Sequence, residues 1–260
     1  MNDWLHSLPI IWMAVVLFGG TYIATAGIYA VVMALAKGER VPAFKAVSPG
    51  MLPPLGILFA LIVAFTASQV WSNNELASAA VAREASALRT CLLLADSFPG
   101  DPTHLHSQIR RYVEEVAAEE WPLMAKGTAT LATGSHHLAG AVESTLAAVP
   151  SNQGQQTAQT QIVSNLLSAL DARRQRILLS RAKISLVKWS GIIIQAVCML
   201  LAIAMVHVDR RLTVGITMGL FATGVAVSLF LIAAYDQPFG GELAVSPAPL
   251  LQALSDTGTS

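Results

Sequence analysis

Long apolar runs alternate with one long polar stretch along this chain. The apolar runs cover Leu8 to Ala36, Leu52 to Val70, Trp189 to Val206 and Leu212 to Ala234. A bilayer core about 30 Å thick needs roughly 20 helical residues to cross it, and each run approaches or exceeds that length. The first and fourth runs contain no charged side chain, and the third carries one amide, Gln195. Backbone polar groups must be satisfied internally in lipid, so these runs predict helices. Trp4, Trp12, Trp71 and Trp189 stand at or near run ends, where indole rings favour the membrane interface.

The connectors within each pair of runs are short, "KGERVPAFKAVSPG" and "HVDRR". The pattern predicts an all-α integral membrane protein. Four transmembrane helices in two hairpins (8–36 with 52–70, 189–206 with 212–234) flank an extramembrane helical domain. The expected divisions are 1–71, 72–188, 189–235 and a tail at 236–260.

The polar region also carries helical periodicity. Ala77, Val81, Glu84, Leu88, Cys91, Ala95 and Phe98 recur three or four apart, which places them on one helix face. "PGDPT" then interrupts the chain. Leu105, Ile109, Tyr112 and Val116 mark a second helix, with Arg110/Glu114 and Arg111/Glu115 spaced for pairing on its wet side. Residues 126–135 read as a loop, and His137 to Val149 as a short helix. A long helix over 157–183 carries Ile162, Leu166, Ala169, Arg173 and Ile177 on one face.

Composition supports lipid as part of the solvent. Hydrophobic residues make up 54% of the chain and charged residues 12%, against about 25% charged in a typical soluble domain. The 16 Lys and Arg balance the 16 Asp and Glu, which leaves no electrostatic argument for nucleic acid. The start lacks a positive n-region and its apolar run is long for a cleaved signal, so it reads as a retained helix. Lys37, Arg40, Lys45, Arg210 and Arg211 lie in the hairpin connectors, against eight basic residues flanking the polar region. That excess favours a cytoplasmic domain and cytoplasmic termini.

Candidate chemistry is sparse. Cys91 and Cys198 form no disulfide framework. The histidine pairs "HLH" and "HH" lack metal-ligand spacing, and no phosphate loop or nucleophile motif occurs, so neither an enzyme nor a cofactor is expected. Glu84 and Arg173 interrupt apolar stripes on two helices. Either they meet as a structural pair, or each lies at a stripe edge with its head in water. Trp121 and Pro122 in "EEWPLM" read as packing and helix termination. Ile57, Leu61 and Phe65 recur every four residues on the second run. Such a face ordinarily meets lipid or another helix; its alternative use is an apolar constriction in a pore. In "YDQPFGG", Asp236 marks the expected exit of the fourth helix into water. Pro238, Phe239 and Gly240 then form a stop and turn.

Several stretches resemble the bestrophin-like family of bacterial membrane proteins. They are "LGILFALIVAFTASQVWSNNELASAAVAREASAL", "RRYVEEVAAEEWPLMAKG", "LDARRQRI", "KWSGIII" and "YDQPFGGELAVSP". That family is a distant relative of bestrophin anion channels. The resemblance implies a homo-oligomer, a pentamer by analogy, in a lipid bilayer, with inorganic anions as the permeant species. It implies a pore neck at Ile57, Leu61 and Phe65, followed by the aromatic Trp71. It also implies that the Pro238-Phe239-Gly240 turn folds the tail back onto the domain or a neighbouring subunit, with Phe239 as anchor. The acidic cluster that holds calcium in some bestrophins is missing after this turn, where only Glu242 is acidic. No metal is therefore expected. The alternative is a non-conducting scaffold or sensor whose helical domain binds a partner.

Overall fold

The computed structural model describes residues 8–36, 48–131 and 136–255. Trp4, His6, Lys37, Arg40 and Lys45 lie outside the described residues. Every regular element among the described residues is helical. We number the α-helices α1 Ile10–Leu35, α2 Leu52–Leu94, α3 Pro102–Glu115, α4 Trp121–Ala125, α5 His136–Ala147, α6 Gln153–Ser180, α7 Leu186–Val206, α8 Arg211–Tyr235 and α9 Ala248–Ser255. The helices α1, α7 and α8, and the first part of α2, are long and apolar enough to cross a membrane. The molecule is a membrane protein.

The chain forms two compact units. One combines the residues up to Ser72 with Lys183–Asp236; the other combines Asn73–Ala182 with the chain from Gln237. The helix α2 supplies residues to both. At 1.5 Å per residue its 43 residues extend about 65 Å, roughly twice the thickness of a bilayer core. The sequence "QVWSNNELAS" contains neither proline nor glycine, so nothing stops the helix at the end of its apolar run.

In the membrane unit, α8 packs against both α1 and α7. Phe59, Val70, Trp189, Ile192, Val225 and Ile232 lie in one buried cluster, and Val32, Leu200, Val214 and Met218 in another. Trp189, in the first turn of α7, packs into the first of these clusters. Asp236 is likewise buried, which corrects the expectation that it meets water. Its Oδ1 accepts the backbone N–H of Ile184 at 2.8 Å. The acid therefore ends α8 and fixes the chain just ahead of α7, whose first turn is capped by the Ser185 hydroxyl.

In the second unit the apolar stripes of α2, α3 and α6 turn inward. Ala77, Val81, Leu88, Cys91, Leu105, Ile109, Ile162, Leu166 and Ile177 are all buried in one cluster. Local signals set the helix ends. Asp101 Oδ1 accepts the N–H groups of Thr103 and His104, with Pro102 at the first helical position. Asn152 caps α6 in the same way, accepting from Gln155. Burial pushes the Cys91 thiol up to about 12. It donates to the Ile162 carbonyl as an inert packing residue.

Between α3 and α4 the helix does not stop at Pro122, as the sequence suggested. A π turn over Val116–Glu120 intervenes, closed by the Trp121 N–H to the Val116 carbonyl. The wider turn relieves the clash that a proline ring imposes on the preceding turn of an α-helix. The helix ends instead at Gly127, where φ is 69°. The Thr128 N–H reaches the Leu123 carbonyl and the Gly127 N–H the Met124 carbonyl, a Schellman closure that needs a left-handed residue.

Replacing Asp236 with alanine should leave the Ile184 N–H without this acceptor. Loss of a buried partner costs about 1–3 kcal/mol. Thermal unfolding of the detergent-solubilised Asp236→Ala protein should show a lowered midpoint, with helix content unchanged by circular dichroism.

Candidate functional site

Two arrangements concentrate the residues singled out in the sequence. The first is a buried charge cluster in the second unit. Glu84 on α2 is fully buried, one face down from Val81 and Leu88. Its partner is Arg176 on α6, which donates from Nε to Oε2 at 2.9 Å and from Nη2 to Oε1 at 3.2 Å. The Tyr112 hydroxyl on α3 donates to Glu84 Oε1 at 2.5 Å. Arg173 takes a different acid: its Nε and Nη2 donate to Glu120 Oε2 at 2.9 and 2.6 Å. The expectation of a Glu84–Arg173 pair thus becomes a four-charge network, in which Arg176 binds Glu84 and Arg173 binds Glu120.

Arg176 joins the halves of the network. Its Nη2 lies 2.7 Å from Glu120 Oε1, an ion pair that ties the second acid to the same guanidinium. Nη1 donates to Met124 Sδ at 3.2 Å, and the guanidinium carbon sits 4.8 Å from the centre of the Trp121 ring. Two acids and two guanidinium groups leave no net charge inside, the condition under which burying them is tolerable.

The electrostatics follow the geometry. Burial raises the pKa of Glu120, and the nearby Arg176 and Arg173 work against that rise without cancelling it. Burial and the Glu84 charge hold Tyr112 well above the usual phenol range, so it stays a neutral donor. Burial opposes the charge on Arg176, but Glu84, Tyr112 and Glu120 outweigh it and raise its pKa.

Glu120, at the end of the π turn, and the adjacent Trp121 are both buried, while Glu119 faces solvent. Trp121 then ties the C-terminal segment to the cluster. Its Nε1 donates to the Val245 carbonyl at 3.0 Å, and its ring meets Phe239 edge-on at 5.6 Å between centroids. Phe239 is buried, and the turn behind it closes with the Val245 N–H on the Pro238 carbonyl. A Cβ on Gly240 would stand 2.7 Å from Gln237 Oε1 and 3.3 Å from the Ala125 carbonyl, so a larger residue there would displace the Gln237 side chain and crowd the Ala125 backbone. Gly241 adopts φ 79°.

The second arrangement lies on the membrane part of α2. Ile57, Leu61 and Phe65 are 66%, 49% and 68% exposed. Phe59, Thr66 and Val70 on the opposite face are buried. Trp71 is half exposed. Among the described residues, the three large apolar side chains therefore stay largely outside the packed cores of the membrane unit.

No site role follows from the sequence for Glu120, Arg176 or Met124, and Tyr112 reads there only as part of an apolar stripe. One signal was available: Arg173 and Arg176 are three apart and share a helix face with Ile177 and Ala169. Among the described residues, no three His, Cys, Asp or Glu side chains cluster as metal ligands.

The quoted motifs thus converge, with Tyr112, Glu120, Trp121, Arg173, Arg176 and Phe239 around one buried centre. A family model for the bestrophin-like domain matches residues 19–250. The chain belongs to the bestrophin-like family. That family is known for channels rather than enzymes and is oligomeric. No curated protein and no solved structure matches the chain. In this bestrophin-like protein the family match takes in both the charge cluster and the apolar face of α2.

Breaking the network from one side should be costly. Arg176→Met leaves Glu84 buried and unpaired, and such a loss costs about 3–5 kcal/mol. The double variant Glu84→Gln/Arg176→Met should recover part of it, as a double-mutant cycle of unfolding free energies would show.

The raised pKa of Glu120 gives a pH signature of definite sign. A folded value above the ordinary glutamate value of 4.5 means that the unfolded chain binds fewer protons through that interval. The associated stability is fully present below about 4.5 and is lost as pH rises through the elevated value. The melting-temperature advantage of the wild type over Glu120→Gln should therefore shrink as pH rises from the acid side. An advantage that grows over the same interval would contradict the assignment.

Proposed function

We propose that this protein is an oligomeric ion channel of the bacterial inner membrane, conducting inorganic anions through a neck formed by Ile57, Leu61 and Phe65. The supporting observation is the two-faced membrane part of α2. One face is packed into the bundle, while the opposite face leaves three large apolar side chains about half or more exposed among the described residues. Membership of an oligomeric channel family gives that face a use. Repeated around an axis, the three residues make stacked apolar rings. A narrow apolar pore excludes water until it widens, so it gates by dewetting.

Five copies, the number known for bestrophins, would give five side chains per ring. The helical domain lies on the cytoplasmic side in this reading. Arg83, Arg89, Arg173, Arg174, Arg176, Arg181, Lys183 and Lys188 flank the spans there, in line with the positive-inside preference. The buried charge cluster is a structural centre in this scheme. Its acids and guanidiniums are committed to one another and offer no free nucleophile or base.

Purified protein in planar lipid bilayers should conduct ions. Leu61→Ala widens the middle apolar ring and should raise open probability severalfold. The same substitution should leave thermal stability within about 0.5 kcal/mol, as expected of an exposed position. Silent bilayers together with a monomeric native mass would sink the proposal.

A further inference from the structure

An apolar groove of about 590 Å³ lies on the membrane unit between α2 and α8. Its floor is made of small residues, Ala60, Ala64 and Ala67 on α2 and Gly224 on α8. Phe59 and Phe221 form one wall, with ring centroids 5.4 Å apart. A Cβ placed on Gly224 would meet nothing within 4 Å, so space remains over the floor. The groove lies between two spans and its α2 and α8 lining is almost wholly apolar, so water does not fill it.

Helical phase decides what covers it. At about 100° per residue, Ala60, Ala64 and Ala67 lie about 100° around α2 from the stripe of Ile57, Leu61 and Phe65. On the other flank, about 80° from that stripe, stand Leu58 and Ile62. These two are 52% and 37% exposed. One helix thus carries an apolar stripe, with a groove on one side of it and a pair of exposed branched side chains on the other.

We infer that the groove is the seat of a second copy of this chain, which inserts Ile62, with Leu58 beside it, between Ala60 and Ala64. This rests on the channel reading above and specifies its subunit contact. When the stripe faces a common axis, the two flanks of α2 must face the two neighbouring copies, so the groove is continuous with the neck that the ring closes. A knob on one flank and a hole on the other make a head-to-tail contact, the kind that closes into rings. Cyclic symmetry keeps equivalent residues at equal depth. Ile62 then stands level with the space between Ala60 and Ala64, about 3 Å along the axis from each. Small residues that admit a neighbouring side chain are the usual basis of helix association in lipid.

The test is cysteine cross-linking of the full chain in membranes, in a Cys198→Ser background. Cys91 is buried and can stay. Residues 62 and 64 point to different sides of one helix and cannot bond within a chain. Oxidation of the double variant Ile62→Cys/Ala64→Cys should therefore produce a ladder of covalent oligomers, and neither single variant should. Ala64→Phe fills the groove and should shift the native mass from oligomer to monomer while helix content is retained. An oligomer that conducts but gives no ladder, or that tolerates Ala64→Phe, would overturn the inference and leave the channel reading standing; the groove would then hold a lipid chain. A monomeric, silent protein would overturn both.

Discussion

The fully buried guanidinium of Arg176 sets the terms for the extramembrane unit. A charge removed from water must be matched on every side, and here the match comes from several directions in the sequence. Glu84 arrives on α2, itself held by the Tyr112 hydroxyl from α3, Glu120 comes from the π turn, and the Trp121 ring from the start of α4. None of these groups can move far without leaving the charge exposed to an apolar interior. The network thereby fixes the register of α2, α3 and α6 in a way that interchangeable Leu and Ala contacts do not. Because such pairs contribute little net free energy over a well-packed apolar core, their value here lies in specifying one arrangement.

The same centre gives the irregular features a common reason. A regular α-helix would place Glu120 and Trp121 about 100° apart, and would meet Pro122 with a steric clash. The π turn resolves the clash, and both side chains are buried. Trp121 then provides the surface on which Phe239 and the Val245 carbonyl settle, so the C-terminal segment is ordered by the same aromatic ring that covers Arg176. In the "PFGG" turn Gly241 takes a left-handed φ that favours glycine, and Gly240 lies close to the Ala125 carbonyl.

The membrane unit obeys a different constraint. Lipid does not penalise an exposed leucine, so burial alone cannot rank its surfaces as it does in the helical domain. What distinguishes one face of α2 is arrangement: large apolar residues every four positions, opposite a packed face and beside a groove floored with alanine. The family match gives that arrangement a context in oligomeric membrane proteins.

Much of this was legible in the sequence, because local periodicity and solvent preference act on short stretches. The four spans and the buried stripes through Ala77, Leu105 and Ile162 follow from three-four spacing and apolar run length alone, whereas spacing set Glu84 and Arg173 on apolar stripes but left open whether they are buried or lie at a stripe edge with their heads in water. Partner choice did not follow. Glu84 could have met any guanidinium on a facing helix, and the rotation and offset of α6 against α2 decided for Arg176. Pro122 carried a stop signal that the π turn overrode, and Asp236 looked like a solvent-facing helix end until the Ile184 N–H claimed it. Sequence by itself determined which faces turn inward, since that depends on neighbours three or four residues away. Only the tertiary structure decided which buried charges meet, since that depends on how helices far apart in the chain pack together.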